Sequence, residues 1–296
     1  MKKHQLKTAV LKALDILPKK MGFYFYYKIQ SKSFKSISKF IAPNKASYEK
    51  INSILSENGI QLKNKSILEI GSGWLPLLAY FLRIEGKADK VYTYDINKHY
   101  QQKNLDKCYE YMSHHYKTNI ESSEKGGLKL PDFIEYHPFT NVIHADLSTD
   151  IDIVVSRFVL EHVTPGDLVA IHEKIYNSLP DNVYILHLIS PSDHRAHSDS
   201  SLSLYDFLKH SKKEWDKIQT KFDYHNRLRL PDYLEIFKKA GFNVLYVEHD
   251  TAKDNPEKYK KFKELEIHPD FNKYNEEELT AGSINVLLKK NISNRP

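Results

Sequence analysis

The chain has 296 residues, long for one minimal domain and short for two ordinary ones, which suggests one α/β core carrying helical additions. Hydrophobic residues make up 41% and charged residues 28%, globular usage that excludes a disordered or fibrous chain, and no apolar run approaches the ~20 residues of a membrane span. The net charge of +6 is uneven: residues 1–65 hold 14 Lys and no Arg against Asp15, Glu49 and Glu57, a net of +11 that leaves the remainder at −5, so the basic balance belongs to one segment. Most of the 20 Tyr and 14 Phe are assigned to core packing. The single cysteine, Cys108, forms no internal disulfide and suits a reducing compartment, and the N-terminus lacks the apolar stretch and cleavage site of a secretory signal. The expected location is cytoplasmic.

Leu6, Val10, Leu11, Leu14 and Leu17 recur at helical spacing with lysines between them, an amphipathic basic helix closed by Pro18. MGFYFYYKIQ and SKSFKSISKF read as further helix or an ordered aromatic arm, and SYEKINSILSENG as a helix stopped by Gly59; residues 1–64 thus form a helical basic extension. In the core, residues 65–296, SILEI is a strand ending at a glycine turn, followed by the helical stretch PLLAYFLRI. VYTYDI, NVIHADL, IDIVVSRFVL and VYILHLIS are the next strands, and FNVLYVE and SINVLLKK bring the total to seven. DLVAIHEKIYNSL and PDYLEIFKKAG are helices. Strands alternating with helices predict a mostly parallel sheet covered on both faces. Residues 101–141 exceed the one helix they must contain and include the flexible-looking ESSEKGG. Residues 191–228 follow the fifth strand, at the ligand edge of such a sheet, and read as a substrate lid.

The strongest motif is LEIGSGW, with Glu69, Gly71, Ser72 and Gly73 where the first strand meets its helix. Glycines there admit close backbone approach of a ligand, and the helix N-terminus offers free N–H groups. A dinucleotide fingerprint wants Gly or Ala where Pro76 stands, so pyrophosphate binding is disfavoured. The E-x-G-x-G loop, Asp95 ending the second strand, Asp146 after the third and IDIVVSRFVLEHV closing the fourth together resemble the class I S-adenosylmethionine-dependent methyltransferases. The resemblance covers residues 65–190 and resumes at NRLRLPDYLEIFKKAGFNVLYVE. It implies a Rossmann-like seven-stranded fold and S-adenosyl-L-methionine as methyl donor. It also implies that Glu69 and Gly71 flank the methionine end, with Ser72 and Gly73 in the loop, that Asp95 accepts the ribose hydroxyls and Ile96 packs on adenine, that Asp146 and Leu147 meet the adenine edge, and that Ser156 and Arg157 lie near the sulfonium.

Methyl transfer requires alignment of the acceptor and removal of its proton. His194 and Asp193, directly after the fifth strand, are the first candidates for the base, and His162 in LEHV is the second. A metal cluster of His187, His194, His197 and Asp193 is not expected, because His187 lies inside a strand and no matching ligand set is evident. SDHRAHSDSSLSLYDFLKHSKKEW with NRLR resembles a bacterial subgroup of these enzymes linked to surface-glycan biosynthesis, implying a sugar hydroxyl or other small acceptor contacted by Arg227, Arg229, Tyr205, Trp215 and Tyr224. The competing readings are a non-catalytic scaffold and a nucleic-acid methyltransferase. Against the second, Ser156-Arg157-Phe158 stands where a base-holding Pro-Pro turn is needed, and the basic arm has no arginine. The lysine-rich first helix is a candidate for peripheral contact with an anionic membrane.

Overall fold

The computed structural model describes residues 3–30 and 36–291, so part of SKSFKSISKF, residues 31–35, lies outside the described residues. The strands are β1 (Ser66–Ile70), β2 (Lys90–Asp95), β3 (Ser122–Lys125), β4 (Leu128–Pro131), β5 (Ile134–Pro138), β6 (Ile151–Arg157), β7 (Tyr184–Ile189), β8 (Phe242–Asp250) and β9 (Gly282–Lys290). Seven form one sheet in the order β5-β2-β1-β6-β7-β9-β8, with β9 antiparallel to both its neighbours and the other pairs parallel. β1 is buried at every position, as a central strand covered on both faces must be.

The helices are α1 (Lys3–Ile16), α2 (Lys19–Gln30), α3 (Ser38–Glu57), α4 (Leu77–Ile84), α5 (Gln102–Tyr116), α6 (Pro165–Ser178), α7 (Lys212–Ile218), α8 (Leu230–Lys239), α9 (Pro256–Lys263) and α10 (Glu276–Thr280). One core cluster sets Ile51 and Leu55 of α3, Leu78 and Phe81 of α4 and Met112 of α5 against the sheet. The other sets Leu168 and Ile175 of α6 and Tyr233 and Phe237 of α8 against the opposite face. α3 begins earlier than SYEKINSILSENG suggests and passes through Pro43, its sixth residue, which has no N–H to donate to the Lys39 carbonyl four residues back. Nearby, Asn44 Nδ2 donates to the Phe40 carbonyl.

Two segments differ from the sequence reading. NVIHADL is not a strand: Val142–His144 is a short 3-10 turn whose start is capped by Asn141 Oδ1 accepting from the Ile143 N–H at 3.0 Å. The strand that pairs with β2 is β5, IEYHP, with Asp95 opposite Pro138. As an edge strand it is buried only at Ile134 and so lacks a continuous apolar run. ESSEKGG is an ordered hairpin, β3 with β4, turned by Gly126 and Gly127 at φ 59° and 76°, the pair of positive angles a two-residue type I′ turn requires.

The segment after β7 packs with the chain between β8 and β9 into a third cluster, in which Tyr205, Phe207 and Trp215 meet Phe262, Phe271 and Leu279. α1 lies against this segment. Lys7 Nζ pairs with Asp223 at 2.7 Å, His4 with Asp199 at 2.8 Å, and Lys221 Nζ donates to the Asp15 carbonyl at 2.9 Å. Phe222 packs on Phe23 and Tyr26 of α2, with ring centroids 5.0 and 4.9 Å apart.

Candidate functional site

The carboxyl ends of β1, β2 and β6 open into a cavity of about 550 Å³. Its floor is the turn after β1, where Gly71 at φ +83° and Gly73 at φ +59° adopt backbone angles that favour glycine. A Cβ on Gly71 would come within 2.4 Å of Val159 Cγ2, so this position admits only hydrogen. Asp95 lines one wall at the end of β2. One of its oxygens accepts from the Asn97 N–H at 2.8 Å, the other from Ser72 Oγ at 3.3 Å, and His99 Nε2 lies 3.5 Å away. Burial raises the Asp95 pKa against the attraction of His99. Trp74, His99 and Tyr27 stack beside it, Trp74 to His99 at 4.5 Å and Tyr27 to Trp74 at 5.2 Å. Ile96, 67% exposed, and Asn141 and Val142 continue the wall, and Phe23, Tyr26 and Phe222 also line the cavity.

Glu69 is buried within β1, and its Oε2 has no hydrogen-bond partner among the described residues. Burial pushes its carboxyl up to about 8, opposed by the charge of Arg157, and both Arg157 and its other charged neighbour, Asp95, line the cavity.

Of the sequence-derived site, Gly71, Gly73, Asp95, Ile96, Arg157, His162, His194 and Tyr224 meet at this cavity. The others do not line it. Asp146 is exposed and Leu147 is buried in the core on the α6 face, because the chain after β5 reaches the cavity at Thr140–Val142, earlier than NVIHADL would place it. Ser156 points into the core, where its Oγ lies 2.7 Å from His187 Nδ1. Asp193 is fully buried and holds Arg195 through Nε at 3.0 Å and Nη2 at 2.7 Å, so it is not a free base. Arg229 is fully buried over the Phe207 ring, donating to the carbonyls of Pro191 at 2.9 Å and Leu279 at 3.3 Å. Arg227 Nη1 donates to the His210 carbonyl at 2.5 Å, and Tyr205 and Trp215 are buried in the third cluster, so these four make their contacts within the protein and away from the cavity lining. Trp74, His99, Asn141, Phe23, Tyr26 and Phe222 are lining residues the sequence reading did not single out.

His162 and His194 face each other across the cavity mouth with ring centroids 4.7 Å apart, and His225 lies behind them at 6.0 and 5.1 Å. His162 Nδ1 is 2.7 Å from the Tyr224 carbonyl, which can only accept, so Nδ1 carries the proton and Nε2 is a bare acceptor. Burial lowers the His194 pKa to about 3, with the neighbouring His162 adding to the shift, so this ring is neutral at pH 7. Glu161 is fully buried beneath them, and burial pushes its carboxyl up to about 8.

Residues 43–247 match the family of methyltransferase domains. The chain belongs to that family. Its S-adenosylmethionine cofactor fits the cavity: the glycines permit close approach and Asp95 lines the wall at the end of β2, while Glu69 does not itself line the cavity but immediately precedes Ile70 and Gly71, which do. Among solved structures, the methyltransferase is similar to a protein from Galdieria sulphuraria described as a sarcosine dimethylglycine methyltransferase, at 14% identity over 83% of this chain and 85% of that one, TM-score 0.49. It is also similar to magnesium protoporphyrin IX methyltransferase from Synechocystis PCC 6803, solved with SAH bound, at 13% identity, 86% of each chain and TM-score 0.47. A third is a SAM-dependent methyltransferase from Methanosarcina mazei, at 15% identity over 80% and 96% of the two chains, TM-score 0.46. No curated protein sequence matches the chain. Among its described residues no helix is long and apolar enough to cross a membrane.

Proposed function

We propose that the methyltransferase O-methylates a small hydroxylated acceptor, a sugar or glycan precursor in the first instance, at the mouth of the donor cavity. The observation that carries this reading is His162, held by the Tyr224 carbonyl with Nε2 free on the cavity wall. S-adenosylmethionine supplies a methyl group on a sulfonium, already a good leaving group. Asp95 would accept from the ribose hydroxyls, Thr140–Val142 and Ile96 would line the adenine, and Glu69 with Gly71 would hold the methionine end. The acceptor hydroxyl donates to His162 Nε2, which takes its proton as the oxygen attacks the methyl carbon. His194, whose low pKa makes it a weak base, orients the acceptor by hydrogen bonding. The exposed Leu6, Val10, Ile16, Tyr24 and Phe25 of α1 and α2, among many lysines, support contact with an anionic membrane surface, checked by co-sedimentation with anionic and neutral vesicles.

The test is calorimetric titration with S-adenosylhomocysteine, followed by transfer of labelled methyl to a panel of sugars and small alcohols. Asp95→Ala removes a charged acceptor and should cost about 2–4 kcal/mol of donor binding, on the order of 30- to 1000-fold. His162→Ala should lower the transfer rate on the order of 10²-fold or more. Donor binding without transfer to any hydroxylated acceptor would favour the non-catalytic scaffold, and transfer unaffected by His162→Ala would remove the base.

A further inference from the structure

We infer that Glu161, His162 and His194 form a binding site for one divalent transition-metal ion of the zinc type, with its open coordination position directed into the acceptor end of the cavity. One ligand atom from each of the three residues lies within 4.8 Å of the other two. Ligands about 2.0–2.1 Å from a tetrahedral ion sit roughly 3.4 Å apart, so closure needs a shift on the order of 1 Å. The exposed His162 ring and the half-buried His194 ring are free to supply it.

Two of the three ligands are prepared independently. Glu161 Oε2 is buried without a hydrogen-bond partner among the described residues, while Oε1 accepts from the Ser190 N–H at 3.3 Å and so anchors the carboxylate. The Tyr224 carbonyl fixes the His162 tautomer with Nε2 bare, the outer-shell arrangement that orients metal-binding imidazoles. Two imidazoles and one carboxylate select zinc or a neighbouring transition metal over magnesium or calcium, and three protein ligands with an open fourth position are the pattern of a catalytic rather than a structural ion. His162 and His194 both line the donor cavity, so an ion held between them borders it.

Binding of the ion stands independently of the acceptor; its use in methyl transfer rests on the O-methylation reading. With the ion in place, the acceptor hydroxyl coordinates it and loses its proton to solvent, a role His162 alone fills when the site is vacant. The oxygen lone pair then forms the O–CH3 bond as the C–S bond breaks, and that bonding pair stays on the sulfur of S-adenosylhomocysteine.

The experiment titrates untagged, chelator-stripped full-length protein with Co2+, then displaces it with Zn2+, following the visible bands of low-coordinate cobalt. One ion per chain is expected. His162→Ala and His194→Ala should each weaken binding about 10- to 100-fold. Glu161→Gln, checked for folding by circular dichroism, should do the same. Asp95→Ala should keep the cobalt spectrum while losing S-adenosylhomocysteine, so the two sites fail separately. Absence of a stoichiometric spectrum, or a spectrum unchanged in both histidine variants, overturns the site. A spectrum lost in those variants upholds it even if no hydroxylated acceptor is methylated.

Discussion

Acid should destabilise this protein through a hydrogen-bond relay buried beside the sheet. His172 Nδ1 lies 2.7 Å from the Leu168 carbonyl, so that nitrogen carries the proton and Nε2 accepts from His187 Nε2–H at 3.0 Å. His187 Nδ1 is then bare and accepts from Ser156 Oγ–H at 2.7 Å. Every member is fully buried, and each direction is set by the one before it. A proton added to His172 sets two donors against each other, whereas one added to His187 Nδ1 turns the Ser156 hydroxyl from donor to acceptor and leaves a buried charge. Burial lowers the His172 pKa from 6.5 to about 4 and that of His187 well below its ordinary value. Above pH 6.5 neither state of the protein binds these protons, and stability is unaffected. Below it the unfolded chain takes them up while the fold refuses them, so stability falls from pH 6.5 towards 4. For His172 alone the loss at pH 5 is about 2 kcal/mol, and His187 acts in the same direction. The assay is urea unfolding at pH 7.5 and pH 5.0 for the wild type and for the triple variant Ser156→Ala, His172→Leu, His187→Leu, in which all the polar partners leave together. The wild type should lose at least about 2 kcal/mol more than the variant between the two pH values. Equal losses would show that these histidines are protonated in the fold and that the relay as described does not exist.

Gly71→Ala should abolish measurable donor binding and lower the melting temperature, since φ +83° and the 2.4 Å approach to Val159 both oppose a side chain; adding Val159→Ala should relieve the clash and recover stability only in part, checked by calorimetry and thermal melts. Arg229→Met should cost about 3 kcal/mol in urea unfolding by stripping donors from buried carbonyls, whereas a substrate-contacting arginine would raise KM and leave stability alone. Glu69, with a pKa of about 8, is largely protonated in the free protein at pH 7, so a donor ammonium that favours its carboxylate should expel a proton. Donor affinity should therefore rise from pH 6 towards 8.5, with proton release detected by calorimetry in buffers of different ionisation enthalpy, and Glu69→Gln should flatten the rise.

The sheet was legible where strands are buried on both faces. β1, β6, β7 and β9 are apolar runs because the sheet centre demands them, and the glycine turn followed by Asp95 marks the donor end of β1 and β2. β5 was not, since an edge strand needs little apolar content, and that miss put Asp146 where Asn141 lines the cavity. The lid residues failed for another reason. A sequence presents Arg227, Arg229 and Asp193 as polar and therefore available, yet Arg229 is satisfied by backbone carbonyls and Asp193 by Arg195, partners that only the tertiary path supplies. The histidine pair at the mouth was visible as two separate candidates. Glu161, adjacent to His162 in LEHV, was overlooked because nothing in the linear chain shows that its carboxylate is buried and unpartnered.

The aromatic cluster at the cavity ties the basic helices to the donor site. Phe23 and Tyr26 of α2 meet Phe222 on its lining, while α1 clasps the same segment through Lys7 and Asp223. Removing α1 and α2 would therefore strip two aromatic rings from the cavity lining and leave Phe222 without its ring partners, so the helical extension is a working part of the donor cavity and not an appendage to the sheet.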